Sequence, residues 1–141
     1  MSDPSAAWSL HPQLAADTHN VGDLPLSRLL IIKDANYPWV ILVPRRTGVS
    51  EIIDLGAAEQ AELMDEIVRT GAALKEITAC TKLNIAALGN VVAQLHVHVI
   101  ARHKSDPAWP QPVWGKLKPL SYDGATLDRF AGLLGEALGL R

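Results

Sequence analysis

Cysteine is nearly absent from this 141-residue chain: Cys80 is the only one. One thiol excludes an internal disulfide and argues against a zinc site built on several thiolates. An excess of basic charge is also missing, with 13 Lys and Arg against 15 Asp and Glu and a formal charge of −2. Nucleic acids and anionic membranes are recognised by basic surfaces, so neither is an expected partner. The chain has no run of about eighteen apolar residues, and Met1 to Ala7 carries no basic stretch followed by an apolar one. The expectation is a cytoplasmic protein without a membrane span. Repeats, low-complexity tracts and a domain linker are lacking too. With 48% hydrophobic residues, the length suits a single domain, 1–141, that buries a core without disulfide or metal staples.

What is present reads as alternating strand and helix signals. His11-Pro12 opens a short helical turn to about Ala16, where proline's missing N–H is not needed, and His19 falls in a polar connection. Leu26 to Lys33 and Trp39 to Val43 are apolar runs separated by the turn residues Asp34-Ala35-Asn36-Tyr37-Pro38, which predicts a hairpin. Pro44 to Gly48 ends it in an exposed loop, and Ser50 to Leu55 leads into a long helix. That helix is predicted over Ala57 to Ala79, with Leu63, Met64, Ile67, Val68, Gly71 and Leu74 facing the core. Glu59, Glu62, Asp65, Glu66 and Arg69 form its solvated face. Strands follow at Leu83 to Leu88 and Leu95 to Ala101, joined by a connection containing Gly89-Asn90. The Pro- and Trp-rich stretch from His103 to Pro119 is expected to cross the surface without regular structure. Ser121 or Asp123 caps a last helix ending near Leu138. The order predicts an α+β fold, an antiparallel sheet covered by helix on one face.

The most informative segment is Gln94-Leu95-His96-Val97-His98-Val99-Ile100. Side chains alternate along a strand, so Gln94, His96, His98 and Ile100 share one face and Leu95, Val97 and Val99 the other. The apolar face must pack. Neighbouring imidazoles then lie roughly 6.6 Å apart along the strand, at about 3.3 Å per residue. Burying two imidazoles and an amide as mere core would cost desolvation without hydrophobic gain, so the row is read as functional. A substrate phosphate or a metal ion can face it. A neutral imidazole suits attack on phosphorus, because at an ordinary pKa near 6.5 much of it keeps a free lone pair at physiological pH. A second imidazole and an amide can hydrogen-bond the phosphate, and Asn90 supplies a further donor.

These residues resemble the motif of the histidine triad (HIT) superfamily, His-φ-His-φ-His-φ-φ with φ apolar. Gln94 stands where the first histidine is expected, His96 matches the middle one, and His98 the third. The hairpin and long helix fall in the family's order, so the resemblance spans about Leu24 to Arg102, with the Pro/Trp-rich segment and last helix, 103–141, beyond it. The resemblance implies a HIT-like antiparallel sheet with one long helix and a C-terminal helix packed on it. It implies a homodimer with sheets joined across the interface, and attack by His96 on the α-phosphate of a nucleotide, a purine nucleotide above all, without cofactor or metal. Nucleoside phosphoramidates, dinucleoside polyphosphates and adenylylated carriers are the substrates implied. In the family a main-chain carbonyl at the first motif position fixes the nucleophile's tautomer, and Gln94 retains one. Asp34 resembles the position that binds ribose hydroxyls, although a turn-stabilising role fits it as well. Asn90 matches a phosphate-contacting side chain four residues before the motif.

Two rival functions remain at this stage. A non-catalytic nucleotide-binding protein would keep the pocket and lack turnover. A metal-dependent hydrolase would use His96 and His98 as ligands, with His103 and Asp106 the nearest further donors in sequence. Asn84 is read as structural, and Arg45, Arg46 and Arg102 as solvated. Trp109 and Trp114 either stack on a base or anchor the tail.

Overall fold

Apolar residues on both faces of the central strands dictate a sheet covered on both sides, and the computed structural model shows one. It describes residues 7–140; the opening stretch read for a targeting signal lies, but for Ala7, outside the described residues. In chain order the elements are α1 (Pro12–Asp17), β1 (Thr18–Asp23), β2 (Ser27–Ile32), β3 (Trp39–Pro44), a 3₁₀ turn (Ile52–Asp54), α2 (Ala57–Thr78), β4 (Lys82–Ala86), β5 (Val97–Arg102) and α3 (Gly124–Ala137). The five strands form one antiparallel sheet in the order β1-β2-β3-β5-β4. The α+β expectation therefore holds, with α2 and α3 on one face. Leu29, Ile31, Val40, Leu42, Val97 and Val99 meet Leu63, Ile67, Leu74 and Leu134 there. The opposite face is covered by α1, through Leu14, and by the stretch after β5, through Ala108 and Val113.

Three features differ from the sequence reading. His19 lies within β1, a strand with no apolar alternation. Its polar side chains sit at the sheet edge, where the ladder to β2 supplies the stabilisation and a bulge at Val21 shifts the register. Gly22 takes φ +152° beside that bulge, a conformation other residues rarely adopt. Second, α2 is rotated from its predicted setting. Met64 and Val68 are 58% and 61% exposed, while Glu66, predicted on the solvated face, is fully buried. The Glu66 carboxylate accepts the backbone N–H groups of Leu26 (2.7 Å) and Ser27 (3.0 Å), buried donors at the tight turn into β2. Burial pushes its pKa up, against those N–H groups that pull it down. Third, β4 ends at Ala86 rather than Leu88 and β5 begins at Val97 rather than Leu95. Residues 87–96 are consequently a longer loop, and that loop forms the rim of the site.

Arg102, expected in solvent, is 1% exposed at the end of β5. Its guanidinium donates to both oxygens of Asp106 (2.8 and 3.1 Å), to Asn84 Oδ1 (2.8 Å) and to the Gln111 carbonyl (2.8 Å). Tyr37 and Trp109 rings lie 5.7 and 5.6 Å from it. A buried cation persists only when its donors are filled this completely. This cluster pins the irregular stretch after β5 and gives Asn84 the structural role expected of it. Farther on, the carbonyl of Leu120 accepts from Ala35 N, so residues 118–120 strap across the β2–β3 turn before Asp123 caps α3.

Candidate active site

Strand alternation carries His98 onto the face opposite α2, and the extended residues just ahead of β5 bring His96 beside it. The two rings sit 5.0 Å apart between centroids, both buried. His96 Nδ1 is 2.7 Å from the main-chain carbonyl of Gln94. A carbonyl only accepts, so Nδ1 carries the hydrogen and Nε2 keeps its lone pair. His98 is set the other way. The indole N–H of Trp39 donates to His98 Nδ1 at 2.9 Å, which leaves the hydrogen of the neutral ring on Nε2. Burial, and secondarily the neighbouring His96, lower the His98 pKa from 6.5 to about 4. With both rings neutral, the pair presents one lone-pair nitrogen, on His96, and one N–H donor, on His98.

Both histidines line a cleft of about 370 Å³, together with Gln13, Leu14, Asp17, Ile32, the loop 88–92 and Trp114. That volume falls among small-molecule sites, which run roughly 300–1,000 Å³. Its lining is mostly apolar, with a few polar groups near the histidines, as expected for a ligand that carries a flat apolar part and a polar end. A second cavity, also about 370 Å³, shares Asp17 and Ile32 with it and is lined by Lys33, Asp34, Trp39 and Pro119.

Of the residues singled out in the sequence, Asn90, His96 and His98 come together in the cleft. Gln94 does not join them. Its main-chain carbonyl serves His96, but its side chain turns to the N-terminal segment, accepting from His11 N (2.8 Å) and donating to the Ser9 carbonyl (3.0 Å). Asp34 lies in the adjoining cavity, where its Oδ1 accepts from Asn36 N (3.0 Å), Asn36 Nδ2 (2.8 Å) and Leu120 N (3.2 Å), the turn-holding pattern. Trp114 packs edge-on against His98 at 5.1 Å, whereas Trp109 stays with Arg102. Arg45 holds the carbonyls of Leu24 and Pro25, and Arg46 pairs with Glu59, so neither is simply solvated.

The residues that the sequence reading missed are Trp39 and the α1 group Gln13, Leu14 and Asp17. Trp39 was legible only as an apolar strand residue. Ile41 pairs opposite His98, which places the Trp39 indole diagonally beside that ring, and because Trp39 and His98 lie 59 residues apart in the chain no local sequence signal reports the contact. The metal-ligand alternative loses its further donors. Asp106 is held by Arg102, and His103 Nε2 lies 3.0 Å from the Thr78 carbonyl. Among the described residues, no three His, Cys, Asp or Glu side chains are grouped to hold a metal ion.

Comparison with known proteins decides the family. The HIT domain matches residues 13–105. The chain belongs to the histidine triad family. Among solved histidine triad structures, a protein of Bradyrhizobium japonicum is 59% identical, with a TM-score of 0.93 over 94% of this chain and 98% of its own. Histidine triad proteins of Marinobacter aquaeolei (42% identity, TM-score 0.91, 94% of this chain and 96% of that one) and Sinorhizobium meliloti (40%, 0.92, 95% and 99%) share the fold as fully. No curated protein matches the chain. Histidine triad membership supports nucleotide binding and hydrolase or transferase chemistry in general terms. Among the described residues, no helix is long and apolar enough to cross a membrane.

Proposed function

We propose that this histidine triad protein is a nucleotide hydrolase or nucleotidyl transferase that acts at an α-phosphate through a nucleotidyl-histidine on His96. The observation that carries the reading is the bond from His96 Nδ1–H to the Gln94 carbonyl, which leaves Nε2 unprotonated in a ligand-sized cleft. Nε2 attacks phosphorus, the P–N or P–O bond to the leaving group breaks, and the leaving group departs with a proton from solvent. Water or a second acceptor then attacks the same phosphorus and the P–Nε2 bond breaks, which regenerates the neutral ring. His98 donates its Nε2–H to a phosphate oxygen as charge builds, and Asn90 adds an amide donor. Gln94 takes the first motif position, and its contribution to the nucleophile is the main-chain carbonyl. The apolar wall of Leu14, Ile32, Leu88 and Val92 suits a purine ring, and Asp34 in the adjoining cavity faces the sugar hydroxyls with the carboxylate oxygen its turn leaves over.

A homodimer is part of this reading. The β4 strand is a sheet edge with unpaired backbone groups and an exposed Ile85, and α2 runs beside it: a Cβ added at Gly71 would lie 3.1 Å from the Leu83 side chain. Met64 and Val68 continue that helical stripe as exposed apolar residues, at steps of four and three ahead of Gly71. An edge strand flanked by an apolar helix stripe is the surface on which a second sheet would join.

Turnover of adenosine and guanosine phosphoramidates and dinucleoside polyphosphates, in wild type and in His96→Ala, tests the assignment. The wild type is expected to release the nucleoside monophosphate, and His96→Ala to lose at least about 10³-fold in kcat, the scale expected for removing a covalent nucleophile. Turnover persisting in His96→Ala would exclude His96 as nucleophile.

A further inference from the structure

Among the polar side chains of the motif row, Gln94, His96 and His98, it is Gln94 that leaves the cleft, and it leaves toward a defined partner. Its amide oxygen accepts from His11 N while its amide nitrogen donates to the Ser9 carbonyl. In extended backbone the carbonyl of one residue and the N–H two residues on emerge side by side. A primary amide carries its acceptor and donor side by side on one carbon, so it fits that pair as another strand would. An imidazole cannot: its two nitrogens point in diverging directions, and one of the two backbone groups would be left unmet.

The segment held in this way leads straight into α1. Six residues are too few to form a stable helix alone, so α1 depends on what ties its ends. In its middle Leu14 is buried among Leu30, Ile41, Val43 and Val92, and at its C-terminal end Thr18 Oγ1 donates to the Leu14 carbonyl. At its N-terminal end stand the His11 side chain, capping Gln13 N, and the Gln94 amide. From α1 come Gln13, Leu14 and Asp17, which line the cleft beside His96 and His98, and the Gln13 amide holds the Asp17 carboxylate through both oxygens at 3.0 Å.

We infer that Gln94 is a positioning residue whose amide latches the chain ahead of α1 and so holds α1 as one wall of the nucleotide cleft. The same residue orients the nucleophile by its carbonyl and the wall by its side chain, which makes the cleft's shape, and with it the choice of substrate, depend on an amide at position 94. This rests on the nucleotide reading of the cleft.

Hydrogen–deuterium exchange of residues 8–17, with steady-state kinetics on an adenosine phosphoramidate, tests it in wild type, Gln94→Ala, Gln94→His, His11→Pro and His11→Ala. Exchange across 8–17 is expected to quicken in both Gln94 variants, histidine included. His11 sits at φ −54°, which proline accepts, so His11→Pro deletes the N–H that Gln94 accepts, whereas His11→Ala deletes the side-chain cap and keeps that N–H. The proline variant is expected to loosen the segment more than the alanine variant. Gln94→Ala should raise KM about five- to tenfold, the scale of a lost hydrogen bond, and change kcat less than about twofold. Unchanged exchange in Gln94→Ala, equal effects of the two His11 variants, or a fall in kcat at constant KM would overturn the latch, the last by showing direct action on the phosphate. Because exchange reads the latch without turnover, its failure is distinguishable from failure of the nucleotide assignment.

Discussion

Two imidazoles two residues apart carry opposite tautomers because their Nδ1 atoms meet opposite partners, a carbonyl for His96 and an indole N–H for His98. Protonating His98 would break the Trp39 bond, and burial already disfavours the charge. The consequence for stability has a definite sign. With a folded pKa of about 4 against 6.5, the unfolded chain binds a proton between those values that the folded chain refuses. Stability is therefore retained above pH 6.5, falls as pH drops through the window, and levels off for this group below about 4. A depression of this size corresponds to roughly 3 kcal/mol. Urea unfolding at pH 7 and pH 4 should show wild type losing more stability than His98→Asn by about that amount; parallel losses would contradict it. Alternation along the strand was enough to place the two histidines together. The side-chain direction of Gln94 was not readable in the same way, because its partners, Ser9 and His11, lie more than eighty residues away. Arg102 was misread for a different reason: its partners Asn84, Asp106 and Gln111 are near in sequence, but they stand on a neighbouring strand and in irregular chain, and no periodic pattern announces that they converge.

At the scale of elements, the strongest signals were the long helix, the β2–β3 hairpin and the last helix, each found within a few residues of its bounds. The rotation of α2 escaped because Met64 and Val68 fit an apolar stripe as well as Glu66 and Thr70 do not. What sets the rotation is a carboxylate needed beneath the turn before β2. Glu66→Ala should leave two buried N–H groups, on Leu26 and Ser27, without an acceptor. A loss of roughly 2–4 kcal/mol in urea unfolding is expected, from about 1–3 kcal/mol for each buried unsatisfied group. A change under about 0.5 kcal/mol, the ordinary range for surface substitutions, would show that the turn does not depend on it. The β1 strand escaped for a different reason. Its residues, Thr18 to Asp23, carry no alternation because an edge strand with a bulge is held by backbone pairing and by α3 against it, not by its own apolar face.

In the whole molecule, the sheet has its histidine face covered by irregular chain and α1, and its other face by two helices, so the proposed chemistry and specificity both fall on the less regular side. In the proposed dimer, the β4 edge and the α2 stripe are the surface that a second copy covers. Val68→Glu combined with Ile85→Lys is expected to convert a dimer into a monomer in analytical ultracentrifugation at micromolar concentration, since charges on an apolar interface lose their hydration there. A wild type that sediments as a monomer, or a dimer that survives both substitutions, would place the interface elsewhere or remove it.

One atom carries the proposed chemistry, Nε2 of His96. Protein labelled with ¹⁵N-histidine, mixed with an adenosine phosphoramidate and quenched during turnover, should show a ³¹P resonance coupled to the Nε2 nitrogen of His96, absent in His96→Ala. A phosphorus bonded to Nδ1, to any other residue, or to no residue while turnover proceeds would contradict it.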